Sequence, residues 1–290
     1  MLNIYTPFPR YEQAIFIGDK ACEYLSALNI HAYAIIGGEV PSMEILHPYE
    51  KSLECIACAM RHKPKILFSA IEKISAKYVL LENNHRNEYN PSDMLEKLVE
   101  RGIKIKILDV CGSVPKVLER AAQMFQAQAH AKRIIDDYKT RFSLVRAMQP
   151  HIRKNQKILI LLSIRQPITL ESYLFVATDS SDISKTLETN FFTCNVVRSD
   201  KNKETLQGLI PITELNDLLL SNPDAIALCG DGLSLSKALE KACRSNPEFK
   251  LLKAIHHGRV WPLPYYCDAL AWREPLILQL WGQALREKDD

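Results

Sequence analysis

The chain has 290 residues, 47% hydrophobic and 24% charged, which is too apolar for a disordered or fibrous protein and enough to bury a substantial core. Its formal net charge of +3 is small and interspersed, with no basic run or aromatic-basic array, and this argues against nucleic acid as a partner. No apolar stretch is long enough to cross a bilayer.

The opening "MLNIYTPFPRYEQ" lacks the charged, apolar and small-residue zones of a secretory signal, although a chain whose signal had been removed would read the same way. Short apolar runs ending in polar or glycine residues then alternate with helices. "AIFIGDKACEYLSALNI" reads as strand, turn and helix, "AYAIIGGE" as a strand, and "KYVLLENNH" as another strand after a helix around "SAIEKIS". "PSDMLEKLVERGIKIKILDV" gives a helix, a stop at Gly102 and a further strand. Continuous apolar strands alternating with helices predict a parallel sheet covered on both faces.

The stretch from Ser113 to Pro150 reads as one unbroken helix. Apolar residues recur at Val114, Leu118, Ala121 and Phe125, then at Ile135, Tyr138, Phe142 and Val145, the spacing of one helical face. Ser113 can cap its start, Pro115 falls in the first turn, and Pro150 ends it. At ~1.5 Å per residue such a helix would run roughly 50 Å, which suits a spine between two bodies better than part of one small domain.

After it the alternation resumes. "KILILLSI" is a strand, "ISKTLETNF" and "ITELNDLLLSN" are helices, and "DAIALCG" is a strand. "LSLSKALEKACRSNP" is a helix, "RVWPLP" a short strand and "EPLILQLWGQALREK" the closing helix. The expected fold is α/β, with an N-terminal lobe over residues 1–112, a connecting spine helix over 113–150 and a C-terminal lobe over 151–290. Ligands of open α/β sheets bind where the carboxyl ends of the strands emerge, so two such lobes imply a ligand cleft between them.

Several stretches carry a resemblance. "AIFIGDKACEYLSALNI" resembles the opening strand and helix, "HAKRIIDDYKTRF" the end of the spine, and "LLKAIHHGRVWPLP", with Gly258 in its turn, the closing turn and strand of one family. In "SAIEKISAKYVLL" and "ITELNDLLLSNPDAIAL" a glutamate opens a helix that leads into a strand. Together these resemble the substrate-binding proteins of ABC importers for iron-siderophores, heme, corrinoids and some metals, whose Rossmann-like lobes are joined by a single long helix. The resemblance runs from about Ala14 to the C-terminal helix.

That resemblance implies a monomeric solute-binding protein without catalytic residues or an intrinsic cofactor. It would be periplasmic or membrane-anchored outside the cytoplasm once a signal is removed, and would work with a permease dimer. Glu72 and Glu214 take the place of the glutamates that dock onto permease arginines. Helix dipoles also favour a first-turn glutamate, so each has a plainer explanation. The sequence departs from the family at Ala76 and Lys77, where proline and aspartate are usual, whereas Pro223 and Asp224 keep that pair in the second lobe. It departs again at "IGDKA", where the family has a serine-proline loop.

Residues just after strand ends are the candidate ligand groups: Asp19, Lys20, Gly37 to Glu39, Asn84, His85 and Arg86 first, then Ser163, Arg165, Gln166, Asp231, Tyr265 and Tyr266. Lys20, Arg86 and Arg165 suit an anionic ligand such as a ferric siderophore, a heme propionate, a corrinoid side chain or an oxyanion. Tyr265, Tyr266 and Trp272 would form an aromatic wall for a flat ligand, and a phenolate can ligate ferric iron or heme. Packing against the closing helix is the plainer reading of Trp272. His47 and His85 sit well for a ligand role, while His256 and His257 fall in a solvent-exposed glycine turn. No histidine or carboxylate spacing defines a bare metal site.

Two other readings stay open. Among the 8 cysteines, Cys55, Cys58 and Cys111 would serve a two-lobed metallocluster enzyme, with His62 beside the lone CxxC. A cytoplasmic ligand sensor would keep the binding fold without a permease. GxSxG, P-loop, GxGxxG and HExxH motifs are absent, so the usual α/β chemistries have no visible machinery.

Overall fold

The computed structural model describes residues 9–37, 47–56, 59–60, 63–85, 90–165, 171–204, 208–264 and 271–286. The chain divides into two compact units. Unit 1 comprises residues 1–139 with 269–272, and unit 2 comprises 140–268 with 273–290.

In unit 1 the elements are β1 (Arg10–Ile17), α1 (Asp19–Ala27), β2 (Ile30–Ile36), β3 (Lys51–Glu54), α2 (Lys65–Ile74), β4 (Tyr78–Asn83), α3 (Leu95–Val99), β5 (Ile105–Asp109) and α4 (Val114–Phe125). The strands form one sheet in the order β3-β2-β1-β4-β5, every pair parallel. The apolar runs that marked the strands supply its core. Ile15, Ile17, Ala34, Ile36, Val79 and Leu81 cover one face together with Leu67 and Leu98 from the helices.

The expected single helix over 113–150 is two helices. α4 ends at Phe125, Gln126 turns left-handed at φ 56°, and α5 (Gln128–Met148) begins two residues later. No glycine or proline announces the break. It is held from outside the helix by Arg10 Nη1, which donates to the Phe125 carbonyl at 2.8 Å, and locally by the Ala127 N–H, which closes the turn on Ala122 O. Ser113 occupies the cap position of α4 without a side-chain hydrogen bond, and Pro115 lies in the first turn as read. The division between the units falls within α5, and a 3₁₀ turn containing Pro150 follows it.

Unit 2 contains β6 (Lys157–Arg165), β7 (Ser172–Ala177), α6 (Asp182–Phe191), β8 (Cys194–Asn195), β9 (Leu209–Ile212), α7 (Asn216–Leu219), β10 (Ala225–Gly230), α8 (Gly232–Ser245), α9 (Lys253–His256), β11 (Val260–Pro262) and α10 (Glu274–Leu285). Its sheet runs β11-β10-β6-β7-β9, with β8 paired to β6. β10, β11 and β8 pair in parallel. β7 and β9 are antiparallel additions that the sequence reading did not separate from loop. Leu159, Leu161, Ile226 and Leu228 pack with Leu235 and Leu239 of α8 in the core. Trp281 of α10 is fully buried and donates to the Pro264 carbonyl at 2.7 Å.

Asp224 ties the start of β6 to the start of β10. Its carboxylate accepts from the Lys157 N–H at 2.9 Å and pairs with Arg153 at 2.9 Å and Lys253 at 3.5 Å. Burial works to raise its pKa, but the Lys157 N–H, Arg153 and Lys253 outweigh it and hold the carboxyl below its usual value. A depressed carboxyl pKa contributes stability above the unfolded-state value of ~3.9, and that stability is lost as pH falls through the folded-state pKa. Asp224→Asn should therefore cost about 1–3 kcal/mol at neutral pH. In denaturant melts at a series of pH values, its deficit against the parent should stay level down to about pH 5 and close below ~3.9. A deficit independent of pH would show that the charge contributes nothing.

Candidate functional site

The sheet order of unit 1 selects one place for a ligand. From β1 the chain moves outward through β2 to β3, then returns to the other side of β1 and continues through β4 to β5. The connections leaving β1 and β4 therefore part in opposite directions, and the carboxyl ends of these strands form the crevice at which such sheets bind ligands.

That crevice is polar and closely built. Glu82, 4% exposed near the end of β4, accepts from the Ala21 N–H at 2.9 Å in the first turn of α1, where a carboxylate also suits the helix dipole. Its other oxygen accepts from Asn84 Nδ2 at 3.2 Å. Gly18 makes this approach feasible, since a Cβ there would lie 2.2 Å from the Glu82 Cβ. Lys20 follows, half-buried, and Asp19 is buried. Cys22 lies beneath them, its thiol pKa pushed well up by burial first and then by the surrounding carboxylates Asp19, Glu50, Glu82 and Glu23, which leaves it an inert apolar group.

Past β4, Asn83 organises the turn. Its Oδ1 accepts from the His85 N–H at 3.3 Å and from Asn90 Nδ2 at 3.2 Å, while its amide nitrogen lies 3.2 Å from His85 Nε2. His85 is exposed, on a left-handed backbone at φ 53°. From the end of β5, Asp109 Oδ2 comes within 3.5 Å of His85 Nε2 and 2.9 Å of Arg120 Nη1, and Oδ1 accepts from the Cys111 N–H at 2.8 Å. Arg120 also donates to the Cys111 carbonyl. Burial raises the Asp109 pKa, but the Cys111 N–H, Arg120 and His85 outweigh it and the net shift is downward. The Cys111 thiol moves up through burial and Asp109, against opposing pulls from Lys20 and Arg120.

At the strand ends of unit 2, Ser163 is buried and its hydroxyl has no hydrogen-bond partner among the described residues. Asp231, read as a ligand group, is engaged as the cap of α8. It accepts from the Ser234 N–H at 3.3 Å and from the hydroxyls of Ser234 and Ser172 at 2.7 and 2.9 Å.

The other sequence candidates distribute as follows. Arg165 is the last residue of β6, its backbone paired with Ser172. Gly38, Glu39, Arg86, Gln166, Tyr265, Tyr266, Cys58 and His62 lie outside the described residues. Trp272 belongs to unit 1, where its Nε1 donates to Glu23 Oε2 at 3.1 Å. Glu23 Oε1 in turn lies 2.9 Å from His47 Nε2, with both side chains fully buried. His47 is thus sealed inside the unit rather than offered to a ligand. His256 and His257 are exposed, as read.

Glu72 and Glu214 are both exposed, one in each unit. Neither opens a helix. α2 starts at Lys65, which puts Glu72 in its last turn, and Glu214 stands two residues ahead of the four-residue α7.

The sequence reading missed Asp109 and Arg120, and named Cys111 only as a metallocluster suspect beside Cys55 and Cys58. The rule that found His85, reading the residues just past a strand, would have found Asp109 and Cys111 had it been carried to "IKILDVCG". Arg120 is a helical arginine with no sequence mark.

Neither a protein-family model nor a curated protein sequence matches the chain. Solved structures do match it over nearly its whole length. A periplasmic heme-binding protein, RhuT from Roseiflexus sp. RS-1, aligns over 95% of this chain and 98% of its own at 12% identity, with a TM-score of 0.61. The iron-uptake system-binding protein FeuA of Bacillus subtilis aligns over 98% and 96% at 18% identity, also with a TM-score of 0.61. An ABC transporter substrate-binding protein from Listeria monocytogenes EGD-e aligns over 96% and 98% at 14% identity, with a TM-score of 0.56. As the sequence resemblance implied, the chain has the fold of the substrate-binding proteins of ABC transporters, including those for iron and heme.

Proposed function

We propose that this chain is the solute-binding component of an ABC importer, capturing an iron chelate, heme, a corrinoid or a related metal complex outside the cytoplasm and handing it to a membrane permease dimer. The observation that carries this reading is the likeness to transport binding proteins over nearly the full length of both chains. The crevice of unit 1 supports it. Charged and amide groups converge there at the strand ends, including Lys20 and His85, with Arg86 next in the chain. Such groups hold an anionic or metal-bearing ligand by charge and hydrogen bonds, without catalysis.

Permease recognition falls to Glu72 and Glu214. An exposed carboxylate on each of two compact units gives a two-point electrostatic key that sets register and orientation. The helix dipole does not explain Glu72, because a carboxylate in the last turn is disfavoured by it.

A thermal-shift panel of ferric siderophores, heme, cobalamin, molybdate, tungstate and divalent metals tests the binding reading. At about 100 times its dissociation constant the cargo should stabilise the chain by ~2.7 kcal/mol, a readable rise in melting temperature. No shift from any iron, heme or corrinoid compound would remove the assigned cargo class.

A further inference from the structure

We propose that His85, Asp109 and Cys111 form a binding site for a borderline divalent transition-metal ion of the zinc type, with a fourth coordination position left open. The inference shares His85 with the crevice of the transport reading, but its test reads three side chains of unit 1 and needs no cargo.

One donor atom from each residue, an imidazole nitrogen, a carboxylate oxygen and the thiol sulfur, lies within 4.8 Å of the other two. Around tetrahedral zinc, bonds of ~2.0–2.3 Å put neighbouring donors roughly 3.3–3.8 Å apart. His85 Nε2 and Asp109 Oδ2 already meet that separation at 3.5 Å. Closing on a metal therefore asks for a movement of about an ångström by the exposed Cys111 side chain.

The donor types choose the metal. Calcium and magnesium take oxygen ligands in larger number, whereas one imidazole, one thiolate and one carboxylate suit zinc and its neighbours. Three protein ligands also match the pattern in which zinc keeps a position for water or an incoming donor.

The surroundings fit a held site. Asp109 keeps Oδ1 on the Cys111 N–H, which leaves Oδ2 to bind. Asn83 and Asn90 fix the turn carrying His85, and the Cys111 thiol lies 3.4 Å from the Asn84 carbonyl. Such outer partners orient metal ligands. Arg120, paired with Asp109 Oδ2 at 2.9 Å, occupies the place a cation would take, and its half-exposed side chain can yield to solvent.

The test is a cobalt(II) titration of the full chain, stripped of metal and kept reduced by a non-thiol reductant. Saturable binding with thiolate-to-cobalt charge-transfer absorption, reversed by zinc, is expected. Cys111→Ser should abolish that absorption, and His85→Ala and His85→Gln should each weaken cobalt binding on the order of a hundredfold or more. Cys55→Ser should leave both unchanged. Circular dichroism of each variant should match the parent, since the altered side chains lie at the surface. Absence of a saturable thiolate band in the parent, or a band surviving Cys111→Ser, would overturn the site whatever the cargo panel shows.

Discussion

Gly230→Ala is expected to destabilise the protein by roughly 2–6 kcal/mol, a large part of the 5–15 kcal/mol typical of a folded domain. Gly230 ends β10 opposite Ser163 of β6, at φ 82°, and a Cβ there would lie 2.2 Å from the Ser163 carbonyl oxygen. That oxygen already accepts the Asp231 N–H at 3.1 Å, so the strand ends cannot part without losing the bond. Two costs therefore add: a left-handed backbone carrying a side chain, about 1–3 kcal/mol, and the forced separation of packed strands, about 1–3 kcal/mol. Gly102→Ala isolates the first cost, because at φ 71° a Cβ meets nothing within 4 Å. Urea midpoints of the two variants should differ clearly, with Gly230→Ala the lower. Equal midpoints would mean that the close approach of β6 and β10 is not a constraint.

Reversing both Glu72 and Glu214 to lysine is expected to abolish uptake while leaving ligand affinity unchanged. Both carboxylates are exposed and, among the described contacts, neither is paired, so the substitutions disturb no internal ion pair. On the proposed docking their cost would fall at the permease, where two negative charges facing arginines would become positive and like-charge contact would suppress docking. Each single reversal should give an intermediate loss. Transport assays in parallel with binding titrations separate the outcomes. Uptake that survives the double reversal would remove the docking assignment, and a parallel loss of ligand affinity would assign the glutamates to the binding protein itself.

The strands that position the crevice were legible because each is a continuous apolar run. Ala14 to Ile17, Val79 to Leu81 and Ile158 to Leu161 are all 1% exposed or less, and such runs belong to strands covered on both faces. Of the strands that escaped reading, β7, "SYLFVA", carries that mark and was passed over, whereas β3 and β9 lack it. β3 is the short, half-exposed edge "KSLE". β9, "LIPI", carries Pro211, which argues against a strand in a sequence and is tolerated here because β9 is an edge of its sheet.

Helix boundaries failed for a different reason. Around Glu72 the sequence Ser69-Ala-Ile-Glu72 has the look of a helix start, yet α2 had begun four residues earlier, after Pro64. The break after Phe125 is held by Arg10, 115 residues away from the carbonyl it bonds. Long-range pairing also hid the partners of candidate residues. Trp272 finds Glu23 across 249 positions, and His85 meets Asp109 and Cys111 from a different strand, with no spacing to mark a ligand set. Residue type and strand ends were therefore readable, and mutual geometry was not.

The central claim, that the chain serves an importer, is tested most directly by accumulation of the labelled thermal-shift hit in cells with and without this chain. Uptake at low external concentration should fall to background without the chain and return when the chain is restored. Undiminished uptake without it, by a protein that nonetheless binds the compound, would contradict the importer assignment.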